Sequence, residues 1–229
     1  GPAIIDGTAD LSLANGFVPV PGNTFTSIVC SARSGTFTNL TFSGGYVFTA
    51  LYTPTTVVFR AENALPTANI TVNPTQLVCK PFPVAANGFD VGGVVTNSAL
   101  ILNGSVIATA PGNTVSTTME IDFPGPTPFI AQAIDDQGGV SYATNTVIMS
   151  TLPLHTLSMG PIPTNDSFRF CMLGQVSSNY TIVSATNITI PPTNWVPVGS
   201  MEYTNGIFRY TVSGMLTNGP FRYYRAKQQ

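Results

Sequence analysis

The segment SALILNGSVIATA, residues 98–110, gives the clearest indication of the fold. Apolar runs lie on both sides of an Asn103-Gly104 pair. Such a pair is the strongest short-range signal for a β-hairpin, because both residues tolerate the positive φ angles of a type I′ turn. The stretch therefore predicts two antiparallel strands that meet at Gly104.

Similar strand-like runs recur along the whole chain, about every eight to twelve residues, and helical periodicity is almost absent. The runs are separated by turn signals from the 21 Gly and 19 Pro residues and from many Asn residues. Hydrophobic residues make up 43% of the chain and charged residues only 8%, against about 25% charged residues in an ordinary globular protein. We therefore predict an all-β fold of tandem Ig-like β-sandwich modules, preceded by a small β segment.

Proline and glycine clusters divide the chain into three segments. We predict a β-rich cap or solenoid-end segment at residues 1–64, an Ig-like β-sandwich at 65–150 and a C-terminal β-sandwich module at 151–229. Pro66 and Pro74 mark the linker into the second segment, because proline cannot donate to a sheet ladder.

The first segment resembles the closing stretch of bacterial autotransporter-associated β-solenoid passenger proteins. The resemblance is carried by the phrase PGNTFTSIVCSARSGTFTNLTF and by the following YVFTALYTPTTVV. Its matching positions are Gly22, Asn23, Phe25, Ile28, Ser34, Gly35, Phe37, Tyr52 and Val57. Such a segment would cap a stack whose terminal repeat cannot otherwise bury both faces.

The other two segments also carry family-like phrases. ALILNGSVIATA with FIAQAIDDQGGVSYATNTVIM resembles the Ig-like modules of bacterial secreted and surface proteins. The third segment resembles the C-terminal module of large secreted proteins from Verrucomicrobia-like and Planctomycetes-like bacteria, through NYTIVSATN, NWVPVG, NGIFRY and PFRYYRA. Together, the resemblances imply the C-terminal region of a secreted or surface protein and bring no catalytic residue with them.

The last residues, GPFRYYRAKQQ, interleave aromatic and basic side chains. Phe221 and Tyr223 alternate with Arg222 and Tyr224, which is the spacing of a strand. We predict the closing strand of the last sandwich, with the arginines over aromatic rings or paired to a carboxylate. A sorting signal is the alternative.

The charge balance limits the class of partner. Eight basic residues against ten acidic residues give a net charge of −2, which does not attract nucleic acid. No apolar run approaches the ~20 residues of a membrane-spanning helix. A charge-poor surface lacks the repulsion that keeps molecules apart, so we expect self-association or contact with cell-wall or matrix polymers. The alternating segment AIIDGTADLSLA is the candidate inter-subunit strand, with contacts from Ile4, Ile5, Leu11 and Leu13.

Catalytic and metal motifs are not found in the sequence. The single histidine, His155, is interpreted as a linker residue, and no serine lies in a G-x-S-x-G elbow. We predict no cofactor and no metal motif. Asp135-Asp136 before Gln137-Gly138-Gly139 is interpreted as a turn, and a loose calcium site shared with Asp90 stays open as the alternative.

Two further residue groups admit alternatives. The only tryptophan, Trp195, is interpreted as a core or edge anchor, while Trp195, Tyr180 and Tyr224 together offer a candidate carbohydrate contact. Cys30, Cys79 and Cys171 are interpreted as buried thiols, and a Cys30–Cys79 bridge is the alternative.

These patterns predict a non-enzymatic structural protein, located outside the cell or at its surface. It would act as a cell-surface, filament or matrix subunit, through packing of β-modules and contacts between strand edges. The alternatives are a carbohydrate-binding or adhesive module of a larger secreted protein, and a C-terminal export or anchoring domain.

Overall fold

The computed structural model describes residues 1–151, 157–161, 167–204, 206–213 and 222–229. His155 lies outside these described residues. The chain divides into two compact units. Unit 1 comprises Gly1–Thr71, Ala85–Ser116 and Phe129–Asn145, and unit 2 comprises Val72–Val84, Thr117–Pro128 and Thr146–Gln229.

The first part of unit 1 contains seven short strands around an apolar cluster. They are β1 (Ala3–Ile5), β2 (Thr8–Leu11), β3 (Thr24–Val29), β4 (Arg33–Gly35), β5 (Asn39–Phe42), β6 (Val47–Tyr52) and β7 (Thr56–Glu62). β1 pairs with β4 and β2 with β5, both in parallel. β3, β7 and β6 form an antiparallel sheet in that order. The core cluster is Ile5, Phe48, Val57, Phe59 and Ala61.

Eight strands follow and form two sheets. They are β8 (Thr67–Thr71), β9 (Thr75–Leu77), β10 (Phe82–Phe89), β11 (Val95–Leu102), β12 (Ser105–Pro111), β13 (Thr114–Met119), β14 (Gly125–Asp135) and β15 (Val140–Ser150). One sheet has the order β13-β10-β8, and the other has the order β12-β11-β14-β15-β9. Burial alternates along β10 and β14, as expected for strands with one face on a core.

The hairpin predicted at residues 98–110 is confirmed. β11 and β12 pair antiparallel from Leu102 and Ser105 outward. Asn103 and Gly104 both have positive φ, at 51° and 77°. A type I′ turn requires this combination, so the dipeptide sets the register of the two strands.

The remaining strands of unit 2 form two more sheets. They are β16 (Leu157–Pro161), β17 (Ser167–Met172), β18 (Tyr180–Ala185), β19 (Val196–Ser200), β20 (Glu202–Thr204), β21 (Ile207–Ser213) and β22 (Tyr223–Gln228), with a 3-10 helix at Pro192–Asn194 before β19. The sheet orders are β16-β17-β21-β20 and β19-β18-β22. Side chains from both sheets share one core: Phe170, Met172, Tyr180, Ile182, Met201 and Phe208.

The basic-aromatic tail is a closing strand, as its alternation predicts. β22 pairs antiparallel with β18 from Tyr180–Gln228 to Ala185–Tyr223. Tyr224 and Ala226 pack against the core of unit 2. The Arg222 guanidinium donates to the Ser184 hydroxyl at 3.4 Å.

The fold class is therefore confirmed as all-β with tandem β-sandwich modules. The predicted boundaries at residues 64 and 150 stay a prediction. Strands β10, β13, β14 and β15 each contain residues of both compact units.

Candidate functional site

Three carboxylates from distant positions lie close together in unit 1. Asp90 directly follows β10, Asp135 ends β14 and Asp136 opens the turn into β15. Backbone contacts hold the two loops together, since Asp136 N–H donates to the Val94 carbonyl at 3.0 Å. Val94 N–H in turn approaches Asp136 Oδ1 at 3.4 Å. These are the three residues of the calcium alternative in the sequence analysis, and we call them the acidic cluster.

Asp135 organises the turn. Its Oδ1 accepts from the N–H groups of Gln137 (2.8 Å) and Gly139 (2.7 Å), and its Oδ2 accepts from Asn63 Nδ2 at 2.9 Å. Burial acts to raise the pKa of Asp135, but the hydrogen bonds from Asn63 and the turn amides outweigh it and leave the pKa lowered. Asp135 is thus an ionised, fully engaged carboxylate, and the turn interpretation is confirmed.

Asp90 is in the opposite situation. Both of its carboxylate oxygens are buried, and the backbone N–H of Val91 is a hydrogen-bond partner of this carboxylate. Burial, and then the negative charges of Asp135 and Asp136, raise its pKa. The hydrogen bond from Val91 acts against this rise in pKa without outweighing it.

Two glycines make room for these oxygens. A Cβ at Gly93 would collide with Asp90 Oδ2 and would lie 2.8 Å from Asp136 Oδ1. A Cβ at Gly139 would collide with Asp135 Oδ2 and lie 2.9 Å from Asn63 Nδ2. The roles of Asn63 and Gly93 could not be predicted from the sequence, because they depend on how closely loops from distant parts of the chain approach each other.

The three aromatic residues of the carbohydrate hypothesis do not form one platform. Trp195 Nε1 donates to the Ile190 carbonyl at 2.8 Å, which ties the ring to its own loop. Tyr180 is 3% exposed, and its ring centroid lies 4.7 Å from that of Phe208. Tyr224 packs on Phe170 at 5.0 Å. The anchor interpretation of Trp195 fits this placement.

A groove of about 570 Å³ nevertheless lies beside two of these residues in unit 2. Its volume falls in the range of small-molecule sites, roughly 300–1,000 Å³. The lining residues are Met172, Tyr180, Val183, Pro192, Thr193, Tyr224, Arg225, Ala226, Lys227 and Gln228. Trp195 is not among them, and the basic residues Arg225 and Lys227 come from the tail strand.

The candidate inter-subunit strand pairs within its own chain. Gly7, at φ +76°, separates it into β1 and β2. Ile5 is buried in the core of unit 1, and Leu11 and Leu13 pack against that core. Ile4 points outward and is 85% exposed. Exchange of this segment between subunits stays a prediction.

The expectation of three thiols is wrong for two of them. Cys79 and Cys171 form a disulfide with a Cα–Cα distance of 6.1 Å, and the alternative Cys30–Cys79 bridge is likewise wrong. Cys30 is free and donates to the Thr55 carbonyl at 3.4 Å. The partners are 92 residues apart, so only the tertiary fold brings them together.

An ionic network that the sequence did not predict surrounds this disulfide. Arg169 Nη1 lies 3.1 Å from Glu120 Oε1 and 3.5 Å from Asp122 Oδ1. Arg209 Nε lies 3.6 Å from Asp122 Oδ2, and Arg209 Nη2 also donates to the Asp122 carbonyl. Burial raises the pKa of Glu120, with Arg169 acting against it.

A Glu120 oxygen and the two sulfurs lie within 4.8 Å of one another. Thiolates bind metals, whereas a disulfide has no thiolate to offer. With the disulfide formed, this arrangement is a structural clamp, in which the bridge and the ion pairs join β17 and β21 to residues 79 and 120–122.

Comparison with known proteins does not assign a family. No family model and no curated protein matches the chain. Among solved structures, it is similar to fibronectin(III)-like modules of Clostridium thermocellum CbhA, with a TM-score of 0.33 and 13% identity over 38% of this chain and 100% of that chain.

Two other solved structures are similarly distant. A 1.5-MDa bacterial ice-binding adhesin matches with a TM-score of 0.30 and 10% identity, over 73% of this chain and 64% of that chain. The superoxide reductase (neelaredoxin) of Ignicoccus hospitalis T24K matches with a TM-score of 0.32 and 12% identity, over 37% of this chain and 80% of that chain. At this distance none of the three carries a function over to this chain.

Among the residues that the structure describes, no helix has both the length and the apolar character that crossing a bilayer requires.

Proposed function

We propose that this chain is a non-enzymatic extracellular structural subunit that acts through contacts made by its strand edges. It would take part in a cell-surface, filament or matrix assembly with copies of itself or with wall polymers. The observation that carries the proposal is the lack of charge on five edge strands of the three- and five-stranded sheets between residues 24 and 119.

Five edge strands support it. Natural proteins protect sheet edges from pairing with other chains by placing charged residues, especially lysine, on them. The five strands contain no Asp, Glu, Lys or Arg, and they are β3 (TFTSIV), β6 (VFTALY), β8 (TANIT), β12 (SVIATAP) and β13 (TVSTTM). Edges of this kind favour strand addition from a second molecule.

Exposed apolar side chains on edge strands add to this argument. Val106 on β12 is 59% exposed and Val29 at the end of β3 is 76% exposed. Each would bury further apolar area on contact with a partner, worth about 25 cal/mol for each Å² removed from water. The disulfide of unit 2 supports an oxidising compartment, where such bonds persist.

A matched pair of lysine substitutions tests the proposal. Val106→Lys places a charge on edge strand β12, whereas Val176→Lys places one at a similarly exposed residue, 67%, in a turn before β18. Sedimentation velocity and negative-stain imaging of the 229-residue chain should show assemblies for the unsubstituted protein and for Val176→Lys, with a shift to monomer for Val106→Lys. A monomeric unsubstituted protein at every concentration contradicts the proposal.

The N-terminal strand offers a finer test of the same function. Deleting residues 1–14 would remove assembly if that strand is exchanged, but it would also remove Ile5 from the core of unit 1. Ile4→Lys avoids this problem, because Ile4 is outside the core. Assemblies that persist unchanged in Ile4→Lys contradict a contact through this strand.

A carbohydrate-binding module is the second candidate, favoured by the groove in unit 2. The Thr193 hydroxyl, the Arg225 guanidinium and the Lys227 ammonium would supply hydrogen-bond donors to sugar hydroxyls at the groove wall. Affinity electrophoresis in gels that contain cell-wall or algal polysaccharides should show retardation that Arg225→Ala and Lys227→Ala reduce. Trp195→Ala is the control that should still be retarded, since Trp195 is outside the groove; unretarded mobility of the unsubstituted chain in every gel rejects this candidate.

A further inference from the structure

We propose that unit 2, in its reduced form, binds a zinc ion between Cys79, Cys171 and Glu120. The proposal concerns the chain before the disulfide forms, or after a thiol reductant has opened it. It therefore does not depend on the proposed function. The ion would replace the covalent bridge as the link between the same parts of the fold.

The three ligand groups already lie together in the structure. The two sulfurs and a Glu120 oxygen lie within 4.8 Å of one another. Cys79 and Cys171 are almost fully buried, at 3% and 1% exposure. All three residues belong to unit 2, so one compact unit supplies two sulfur ligands and one oxygen ligand.

Backbone hydrogen bonds hold these residues in place without the bridge. Cys79 N–H donates to the Ile121 carbonyl at 2.9 Å, which fixes residue 79 beside residues 120–122. Cys171 lies in β17, which is paired with β16 on one side and with β21 on the other. Zinc bound tetrahedrally at about 2.3 Å from each sulfur needs the sulfurs about 3.8 Å apart. Two unbonded sulfurs reach this separation at van der Waals contact, so reduction opens the gap that the ion requires.

The charges around the sulfurs balance when zinc is bound. In the disulfide form, the carboxylates of Glu120 and Asp122 face the guanidinium groups of Arg169 and Arg209, and these four charges sum to zero. Zinc displaces one proton from each thiol, so its two positive charges cancel those of the two thiolates. The site thus takes up the ion without adding net charge to a buried region, where unbalanced charge is expensive.

The ligand chemistry selects zinc. Thiolates are soft ligands that favour zinc over calcium or magnesium, and zinc also accepts a carboxylate oxygen. Arg169 Nη1 lies 3.1 Å from Glu120 Oε1, and metal-bound carboxylates are themselves hydrogen-bonded in this way. Asp122 Oδ1 lies 3.9 Å from Cys79 Sγ. The Asp122 side chain is 37% exposed, which gives a hydrated ion a path from solvent to the sulfurs.

Metal binding by the reduced Cys30→Ala chain tests the site, because this variant keeps Cys79 and Cys171 as its two cysteines. A phosphine reductant opens the bridge: the phosphine takes the oxygen of one water and becomes its oxide, and the two hydrogens of that water end on the two sulfurs. Cobalt(II), the spectroscopic substitute for zinc, should then give a sulfur-to-cobalt charge-transfer band that saturates at one equivalent and that zinc removes. The oxidised chain, and a reduced chain with both residues replaced by alanine, should give no band.

Glu120→Gln tests the oxygen ligand. The dissociation constant for zinc, measured by competition with cobalt, should rise about tenfold or more. Glu62→Gln is the matched control, because it also removes a carboxylate paired with an arginine, Arg60, but does so in unit 1. It should bind zinc as tightly as the reduced Cys30→Ala chain. If Glu120→Gln does not fold, Glu120→Asp provides the same comparison, because it keeps the charge but shortens the reach of the carboxylate.

The stability of unit 2 gives a second measurement. Free zinc at about 100 times its dissociation constant should raise the urea midpoint of the reduced Cys30→Ala chain by about 1.4 M, for an m-value of about 2 kcal/mol/M. Fluorescence of Trp195 reports this transition, because Trp195 lies in unit 2. A reduced chain that gives no charge-transfer band, or a urea midpoint that zinc does not move, overturns the site. Equal zinc affinity in the Glu120 and Glu62 variants overturns Glu120 as a ligand.

Discussion

Loss of the Cys79–Cys171 disulfide should destabilise unit 2 selectively. Both cysteines belong to unit 2 and are almost fully buried, at 3% and 1% exposure. The bridge closes a loop of 92 residues. The loop-closure relation then gives an unfolded-state entropy of about 15.6 cal/mol/K, or about 4.6 kcal/mol of stability at 25 °C. Replacing both residues by alanine should remove most of this free energy.

The single tryptophan makes the assay specific. Trp195 lies in unit 2, so its fluorescence reports the unfolding of that unit in urea. For an m-value of about 2 kcal/mol/M, the midpoint should fall by about 2.3 M in the double-alanine variant. Reduction of the disulfide in the unsubstituted chain should lower the urea midpoint by a similar amount. Reduction leaves the side-chain volumes unchanged, so it separates loss of the bridge from loss of packing.

Cys30→Ala is the matched control, because Cys30 is a free thiol in unit 1. Its Trp195 transition should coincide with that of the unsubstituted chain, with or without reductant. A loss smaller than about 1 kcal/mol in the double-alanine variant would contradict the loop-closure origin of this stability. So would a Trp195 transition that ignores reductant.

Three further outcomes follow from described contacts. Gly104→Ala should cost about 1–2 kcal/mol in urea unfolding, entirely from the φ of +77°, because a Cβ there meets no neighbour. Asp135→Asn should flatten the decrease in stability at acid pH. Folding lowers the pKa of the Asp135 carboxyl. The carboxylate therefore contributes stability above the unfolded pKa of about 3.9, and this contribution is lost as the pH falls through the folded pKa. Phe170→Ala, at a fully buried position, should cost about 3–5 kcal/mol and lower the Trp195 transition.

Local patterns made much of the fold predictable. The Asn103-Gly104 turn, the Asp135 turn and the alternation in the tail each depend on neighbours within a few residues, and each lies where its pattern predicted. The break at Gly7 was missed, because alternation continues across it and only the backbone shows the left-handed residue. Local sequence patterns also do not predict which strands pair, as in the pairing of β1 with β4.

The candidate sites were less predictable for the same reason. Asp90, Asp135 and Asp136 could be grouped by placing two turns at one end of a sandwich. The burial of Asp90 and the bare face of Gly93 depend on how closely the loops approach. The Cys79–Cys171 bridge and the ion pairs of Arg169 join positions tens of residues apart. With three cysteines in the chain, the sequence does not show which two are paired.

Because these edge strands are uncharged, contacts made through them should depend little on the salt concentration of the surrounding solution. Salt weakens attraction and repulsion between charges over a Debye length of about 8 Å at physiological ionic strength. Backbone hydrogen bonds and apolar contacts along β12 or β3 contain no charges to be screened. Joints made by these strands would hold almost equally well in dilute fresh water and in brine, whereas an assembly held by ion pairs would come apart in one of them.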